Sequence, residues 1–320
     1  MKPSVRPRGL ALLALLVVFP IMEAGITAPA AGAAAPAKAP AVSAAPRTTA
    51  RVAATATKKT TPRKRRRIRR GPPDGVVWAR NAVVIDPVSG EVLFSKQART
   101  IVPIASLSKM MTAIVFLEQE PDLERSVAVA REDWRGAGRT QLRVGEKVRL
   151  GDLLHMSLMC SDNCATRVLA RESGIDHETF IARMNRKAIE LGLGHTRFVE
   201  TTGLDEKNVS NAEDCARLLV AAAKNETIGD IMTTRGYEFR SATRPHTVPN
   251  TNRLLYGKYE VRGGKTGFIN EAGYCFATCV RTGGRDLVAV VLGAPTAATR
   301  FADVVRLVQR TTAPSVASNP

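Results

Sequence analysis

The residues of this sequence best suited to covalent chemistry are a serine and a lysine three positions apart, Ser106 and Lys109, in the segment Ser-Leu-Ser-Lys. A serine hydroxyl is a weak nucleophile until a neighbouring base takes its proton. None of the four histidines has a place in a Ser-His-Asp arrangement, so the amine of Lys109 is the candidate base. Two further segments follow in order, Ser-Asp-Asn from Ser161 to Asn163 and Lys-Thr-Gly from Lys265. Together the three segments predict acyl transfer through a serine ester.

Each polar side chain of these segments has a chemical role that its type allows. Lys109 must be neutral to act as a base, which requires a lowered pKa, produced by burial or by a nearby cation. Lys265 can supply that cation and can also attract an anionic substrate. Ser161 is a candidate relay for the proton that the leaving amine needs. Asn163 carries a donor and an acceptor in one group, which suits holding Lys109 and a substrate amide together.

The backbone around the Lys-Thr-Gly segment is expected to bind substrate. An oxyanion needs two preorganised N–H donors, and the N–H groups of Ser106 and Phe268 are the candidates. Gly264 and Gly267 carry no side chain, so a peptide substrate is expected to lie along this strand edge. A bulged edge strand without any ligand is the alternative interpretation of the two glycines.

The pattern of apolar residues predicts the elements that position these groups. Residues 76–96 alternate around an Asp-Pro-Val-Ser-Gly turn, which indicates two paired strands. A helix is predicted over 107–117, which puts Ser106 and Lys109 on one face near its start. Residues 150–203 favour helices, three short alternating runs between 259 and 293 favour strands, and 299–310 favours a closing helix. This order predicts an α+β fold, an antiparallel sheet with flanking helices and an inserted helical subdomain.

The first 73 residues have a composition that is not typical of a folded domain. Basic residues, an apolar run and then small residues make 1–33 a signal peptide, with an uncleaved N-terminal anchor as the alternative. The Ala/Pro-rich and basic segment 34–73 is predicted to be a disordered linker. We expect the catalytic domain at 74–312 and a disordered tail at 313–320. The signal predicts export to the periplasm or cell envelope.

The positive charge of the chain is concentrated before the catalytic domain. Residues 1–73 hold 15 of the 47 basic residues and one of the 29 acidic residues, and the basic run at 58–70 accounts for most of that excess. Residues 74–320 hold 32 basic and 28 acidic residues, so the predicted catalytic domain is nearly neutral, which argues against a nucleic-acid partner. Behind a secretory signal, the basic run is expected to be solvated or to contact an anionic envelope surface weakly.

Five cysteines lie in the predicted catalytic domain, at positions 160, 164, 215, 275 and 279. An odd number leaves at least one thiol unpaired within the chain, and the pairing of the others stays open. Cys275 and Cys279 are too far apart on one strand to bond and are expected to share its face as buried apolar residues. A disulfide between Cys160 and Cys164 and plain packing are both open. Core cysteines are favoured over a four-cysteine zinc site, and we expect no metal and no cofactor.

The chain resembles the low-molecular-mass penicillin-binding proteins, the serine DD-peptidases that trim peptidoglycan peptides, from about Val83 to Arg306. The matching segments are Ile104-Ala105-Ser106-Leu107-Ser108-Lys109-Met110-Met111-Thr112, Thr202-Gly203-Leu204-Asp205, Gly264-Lys265-Thr266-Gly267-Phe268, Ala272-Gly273-Tyr274 and Val291-Leu292-Gly293-Ala294-Pro295. The resemblance implies a fold shared with β-lactamases, a peptidoglycan peptide substrate ending in D-Ala-D-Ala or crosslinked through D-Ala, and acylation by β-lactam antibiotics.

The resemblance also assigns roles to individual residues. It implies that Ser106 is the acylated nucleophile, Lys109 its base, and Ser161 with Asn163 the second motif. Lys265, Thr266 and Gly267 form the third motif. Arg300 matches an arginine that helps to hold the terminal carboxylate of the substrate, and an ordinary exposed helix charge is the alternative for it.

Several activities remain open within this resemblance. A D-Ala-D-Ala carboxypeptidase is favoured as the commoner activity of the family. The end of the chain soon after Arg310 and the segments Thr233-Thr234-Arg235 and Asn250-Thr251-Asn252-Arg253-Leu254 resemble the single-domain endopeptidases. A class A-like β-lactamase is disfavoured because no Glu in the chain has Asn four residues later. A non-catalytic envelope-binding protein is disfavoured because all three motifs are intact.

Overall fold

The computed structural model describes residues 76–312. The predicted signal, the linker with its basic run and the tail therefore lie outside the described residues. The strands are β1 (Asn81–Ile85), β2 (Val92–Lys96), β3 (Val102–Pro103), β4 (Ser126–Ala128), β5 (Lys147–Arg149), β6 (Val209–Ser210), β7 (Gly236–Arg240), β8 (Pro245–Pro249), β9 (Glu260–Ile269), β10 (Gly273–Thr282) and β11 (Arg285–Ala294). The α-helices are α1 (Ser108–Leu117), α2 (Arg131–Trp134), α3 (Leu150–His155), α4 (Asn163–Arg171), α5 (His177–Glu190), α6 (Ala212–Lys224), α7 (Glu226–Thr233) and α8 (Ala297–Thr312).

The main sheet has five antiparallel strands in the order β2-β1-β11-β10-β9. The predicted hairpin of β1 and β2 is confirmed. Strands β10 and β11 join through Gly283 and Gly284, both with positive φ, because a two-residue turn of this kind matches the twist of the strands. Strand β9, which carries the Lys-Thr-Gly segment, lies at the edge of the sheet.

Helices cover both faces of this sheet, so its central strands are apolar on both sides. In β11, Val288, Val290 and Leu292 belong to the core on the face covered by α6. Alternate residues of the same strand belong to the core beneath α8, because successive side chains of a strand point to opposite faces. Buried Asp303 of α8 also accepts hydrogen bonds from the N–H groups of Trp78 and Ala79 and so fixes the start of the domain.

The residues between β2 and β9 build the predicted helical subdomain. Helix α1 is almost entirely buried and packs against α4, α5 and α6. A π-helical turn at Met156–Cys160 continues α3 and leads into the Ser-Asp-Asn segment. The α+β prediction is thereby confirmed. Helix α7 and the hairpin of β7 and β8 were not predicted, since these segments are short and have a mixed pattern.

All five cysteines lie in the described range and are free thiols. Cys275 and Cys279 face the same core, as predicted for two small apolar residues four positions apart on a strand. Within 76–312, no group of three or more His, Cys, Asp or Glu side chains is arranged to hold a metal ion. No helix in the same range is long and apolar enough to cross a bilayer.

Candidate active site

Ser106 lies in a 3₁₀ turn, Ala105–Leu107, immediately before α1. The helix proper therefore begins two residues after the serine rather than at it. Ala105 has a φ of +49°, a strained conformation for a residue with a side chain. Two glycines enclose this turn: a Cβ on Gly203 would lie 1.9 Å from the carbonyl oxygen of Ala105, and a Cβ on Gly267 would lie 3.0 Å from the nitrogen of Ser106. The backbone of the nucleophile is thus held between two segments distant in sequence.

Lys109 is fully buried, and its Nζ has three partners. It lies 3.0 Å from Ser106 Oγ, 2.6 Å from Asn163 Oδ1 and 2.5 Å from the carbonyl oxygen of Thr202. Burial lowers the pKa of Lys109 to about 7, although the charges of Glu200 and Asp162 act in the opposite direction. After losing one proton, the amine keeps two donors for the carbonyl oxygens and has a lone pair for the hydroxyl of Ser106.

Ser161 ends the π-helical turn in a left-handed conformation, with φ of +65°. Its hydroxyl accepts a hydrogen bond of 2.8 Å from Lys265 Nζ, which also donates to the carbonyl oxygen of Thr266. Burial, followed by the charge of Lys109, lowers the pKa of Lys265. The sequence left burial and a nearby cation open as the cause of a lowered pKa for Lys109. Burial is the main cause for both lysines.

Asn163 begins α4 and joins Lys109 to another loop. Its Oδ1 accepts from Lys109 Nζ, and its Nδ2 donates to the carbonyl oxygen of Ala137 at 2.8 Å. The preceding Asp162 caps α4 by accepting from the N–H of Ala165. Asn163 is therefore fixed at both ends and keeps one amide hydrogen for a further acceptor.

At both glycines of the third segment, other parts of the protein fill the space that a side chain would need. A Cβ on Gly264 would lie 2.7 Å from Asn252 Nδ2, and the space beside Gly267 is occupied by the turn that carries Ser106. The glycines are needed because other parts of the protein pack closely there. Between them, the hydroxyl of Thr266 pairs with that of Thr251 at 2.7 Å.

Arg300, in α8, extends its side chain to strand β9. Its Nη1 donates to the carbonyl oxygen of Gly267 at 3.0 Å, and its guanidinium lies over the rings of Tyr274 and Phe301. Burial lowers the pKa of Arg300 to about 10. Its Nε is buried without a partner among the described residues. The neighbouring Phe268 is 45% exposed, and its ring packs against Tyr274.

The structure thus brings every predicted site residue to one place, where the turn before α1, the start of α4 and the edge of β9 meet. A family model described as D-alanyl-D-alanine carboxypeptidase matches residues 69–296. This chain belongs to that family. It is a serine peptidase of the penicillin-binding DD-peptidase class and a hydrolase, as the three motifs predicted.

Named members of the D-alanyl-D-alanine carboxypeptidase family include enzymes with two activities. A D-alanyl-D-alanine endopeptidase of Pseudomonas aeruginosa is 37% identical over 233 residues, covering 71% of this chain and 75% of the relative. A D-alanyl-D-alanine carboxypeptidase of Bacillus subtilis is 31% identical over 236 residues, covering 72% of this chain and 61% of the relative. The crystal structure of the Streptomyces K15 DD-transpeptidase matches with a TM-score of 0.70 and 28% identity, covering 74% of this chain and 97% of that chain.

Two residues of this family site were missed by sequence reasoning. Glu200 accepts from the N–H groups of Thr202 and Gly203, from the hydroxyl of Thr202 and from Asn208 Nδ2. It therefore shapes the loop that contacts both Lys109 and the turn of the nucleophile. Thr251 is the second. The sequence signals were the position of Glu200 just before the matching segment that starts at Thr202, and the position of Thr251 inside the segment Asn250–Leu254 that resembles the endopeptidases.

A cavity of about 810 Å³ lies apart from the residues of the three motifs. Glu200 and Thr201 line it, together with Arg167 and Arg171 of α4. None of the motif residues lines it. The active site is therefore identified by its reactive side chains and not by the volume of a cavity.

Proposed function

We propose that this chain is a serine-type D-Ala-D-Ala carboxypeptidase that removes the terminal D-Ala of peptidoglycan stem peptides through an acyl-enzyme on Ser106. The observation that carries the proposal is the pair of Ser106 Oγ and buried Lys109 Nζ, 3.0 Å apart, with the pKa of the lysine lowered to about 7 by burial. A base that is partly neutral at physiological pH, within hydrogen-bond reach of a serine, is what this chemistry requires.

Acylation begins when neutral Lys109 takes the proton of the Ser106 hydroxyl. Oγ attacks the carbonyl carbon of the penultimate D-Ala, and the N–H groups of Ser106 and Phe268 stabilise the oxyanion. The C–N bond then breaks as the proton that Lys109 took from Ser106 passes to the departing D-Ala amine by way of Ser161, whose hydroxyl bonds to Lys265 at 2.8 Å. Lys109 is thereby neutral again. The acyl group is now an ester of Ser106.

Deacylation uses the same groups in reverse. Lys109 takes a proton from a water molecule, which attacks the ester, and Ser106 regains its proton as the ester bond breaks. Asn163 holds Lys109 in position through the bond of 2.6 Å and offers its remaining amide hydrogen to the substrate backbone. No metal or cofactor is part of this cycle.

Thr266, Gly267, Phe268 and Arg300 bind substrate in this proposal. Thr266 donates to the terminal carboxylate, and the backbone at Gly267 and Phe268 aligns the peptide along the edge of β9. Arg300 contributes positive charge to the carboxylate subsite while it is anchored to the carbonyl oxygen of Gly267. β-Lactams carry a carboxylate beside their reactive amide and acylate Ser106 by the same route.

A DD-endopeptidase that cuts D-Ala crosslinks is the second candidate. It is favoured by relatives named D-alanyl-D-alanine endopeptidase in Pseudomonas aeruginosa and Escherichia coli, at 37% and 35% identity. The two activities break the same kind of amide bond and differ in whether the leaving amine belongs to free D-Ala or to a second stem peptide.

A rapidly deacylating β-lactamase is not favoured, because no Glu in the chain has Asn four residues later. For the parts of the chain outside the described residues we keep the sequence assignments. Residues 1–33 are an export signal or anchor, 34–73 a linker with weak attraction to anionic envelope surfaces, and 313–320 a tail. The catalytic domain at 74–312 acts in the periplasm or envelope.

The test of the proposed function is intact-protein mass after mixing the full chain with benzylpenicillin, beside a Ser106→Ala variant. A long-lived penicilloyl adduct on the wild type alone is expected. Uncrosslinked and crosslinked muropeptides are then digested separately. Release of free D-Ala identifies a carboxypeptidase, and conversion of dimers to monomers identifies an endopeptidase. A folded wild type that forms no adduct and cleaves neither substrate would overturn the proposal.

A further inference from the structure

Thr251 connects the second and the third motif through one side chain. Its N–H donates to the carbonyl oxygen of Met159 at 2.9 Å, and its Oγ1 lies 3.0 Å from the same oxygen. The same Oγ1 lies 2.7 Å from Thr266 Oγ1. Met159 belongs to the π-helical turn that leads to Ser161. Thr251 therefore fixes the position of one motif relative to the other.

The turn that carries Thr251 is rigidly held. Buried Asn250 donates through Nδ2 to the carbonyl oxygens of Met232 and Thr234 and accepts from the N–H of Asn252. Asn252 Oδ1 in turn accepts from the N–H of Leu254. The Thr251 hydroxyl thus comes from a preorganised scaffold, and its position does not depend on a bound substrate.

Counting the hydroxyl protons shows how Thr251 affects the hydrogen bonding of Thr266. Each hydroxyl has one proton, and Thr251 Oγ1 is the only side-chain partner that the described residues give the hydroxyl of Thr266. If Thr251 donates to Met159, Thr266 must donate to Thr251 and has only lone pairs left for a ligand. If Thr251 donates to Thr266, the proton of Thr266 is free to point at a ligand. The carbonyl oxygen of Met159 loses little in the second arrangement, because it keeps the N–H of Thr251.

We propose that Thr251 is a positioning residue that directs the Thr266 hydroxyl proton toward the substrate carboxylate and so contributes to recognition of a free D-Ala terminus. An ionised carboxylate only accepts hydrogen bonds, so it selects the arrangement in which Thr251 donates to Thr266 and Thr266 donates to the ligand. The two hydroxyls then form a chain in which each bond strengthens the other. The inference rests on the proposed function, in which Thr266 faces the carboxylate.

The contribution of Thr251 is specific to ligands that accept a strong hydrogen bond from the Thr266 hydroxyl. A methyl ester in place of the carboxylate is neutral and a much weaker acceptor, so it gains little from the direction of the Thr266 proton. Two matched thioesters separate the cases: an N-acyl-D-alanyl thioester of mercaptoacetate, whose leaving group carries a carboxylate, and the same compound as its methyl ester. Hydrolysis of both is followed by the released thiol.

The decisive variant is Thr251→Val, which keeps the β-branched shape and the backbone N–H but removes the hydroxyl. We expect kcat/KM for the carboxylate thioester to fall by about tenfold or more, mainly through KM, while the methyl ester changes by less than about threefold. Thr251→Ser retains the hydroxyl and is expected to stay within about threefold of wild type on both compounds. Thermal unfolding and circular dichroism check that each variant is folded.

A double-mutant cycle with Thr266→Val completes the test. If Thr251 acts through Thr266, adding Thr251→Val to Thr266→Val lowers the rate no further. Three results would each overturn this inference without affecting the proposed function. They are an equal loss of kcat/KM on the two thioesters in Thr251→Val, additive losses in the double-mutant cycle, and a Thr251→Ser variant as impaired as Thr251→Val. A folded wild type that hydrolyses neither thioester would overturn the proposed function and this inference with it.

Discussion

Gly203 leaves no space for a side chain beside Ala105: a Cβ on the glycine would lie 1.9 Å from the alanine carbonyl oxygen and 2.3 Å from its carbonyl carbon. The φ of Gly203 is +81°, which a residue with a side chain adopts only with strain. The loop before β6 and the turn of the nucleophile therefore meet backbone to backbone. This contact brings Thr202 to Lys109 and keeps Ser106 against β9.

Gly203→Ala is expected to disrupt the nucleophile while leaving most of the fold in place. The added methyl group must push the 3₁₀ turn away from the loop, so acylation by benzylpenicillin should slow by about a hundredfold or more. The measurement is the acylation rate by intact mass. Gly194→Ala is the matched control, because a Cβ there meets no atom within 4 Å and φ is not positive. A Gly203→Ala variant with wild-type acylation would contradict the clamping role.

The acylation rate of the wild type should rise with pH through about 7. Burial lowers the pKa of Lys109 to about 7, and only the neutral amine accepts the proton of Ser106. Below that pH the lysine is protonated and the rate falls about tenfold per pH unit. Acylation measured from pH 5 to 9 checks this expectation, and a rate independent of pH across that range would exclude Lys109 as the base.

Glu200→Gln should move this pH profile to lower pH. The charge of Glu200 raises the pKa of Lys109 against the effect of burial, so removing the charge lowers that pKa further. The plateau rate should also fall by about tenfold, because a glutamine cannot accept all of the bonds that hold Thr202 and Gly203. Glu132→Gln is the control, since Glu132 is an exposed carboxylate lining the neighbouring cavity. An unchanged profile in Glu200→Gln would show that the carboxylate acts only on loop structure.

Arg300→Lys should weaken recognition of carboxylate ligands. Lysine keeps the charge but lacks the planar fork that bonds to Gly267 while it lies over Tyr274 and Phe301. We expect KM for a D-Ala-D-Ala peptide to rise by about tenfold with a smaller change in kcat. Arg310→Lys, an exposed arginine of the same helix, serves as the control. If both variants behave like the wild type, Arg300 is an ordinary helix charge.

Glu146 should make the fold sensitive to acid. Burial alone would raise its pKa, but hydrogen bonds from Ser241, His246 and Arg244 outweigh that effect and lower the pKa from 4.5 to about 2. Because the pKa in the folded state is the lower one, the stabilisation is complete above about pH 5 and is lost as pH falls through 4.5 toward 2.

Glu146→Gln is therefore expected to lower the free energy of unfolding at neutral pH by about 2–3 kcal/mol and to flatten its decline between about pH 5 and 2. Chemical denaturation at several pH values measures both quantities. Glu91→Gln removes an exposed carboxylate and should change neither. Parallel stability curves for wild type and Glu146→Gln would show that the buried carboxylate is not the titrating group.

The sequence by itself was sufficient to identify the reactive pair and the class of fold that carries it. Ser106 and Lys109 stand three residues apart, a spacing that brings two side chains to one side of a helical turn, including the 3₁₀ turn found here. The turn residues between β1 and β2, the alternation in β10 and β11 and the order of the motifs were sufficient for the α+β fold and the family. These are features of local backbone geometry, which a few neighbouring residues specify.

Only the tertiary structure decided how the remaining residues complete the site. Lys265 reaches Ser161 across 104 positions, and Lys109 reaches Thr202 across 93. Such contacts depend on how α4, β9 and the loop before β6 pack together, and no local period encodes that packing. For the same reason the sequence assigned no role to Glu200 or Thr251, and it did not show that Asn252 packs against Gly264. Local spacing fixes which groups can react, and packing fixes what holds and tunes them.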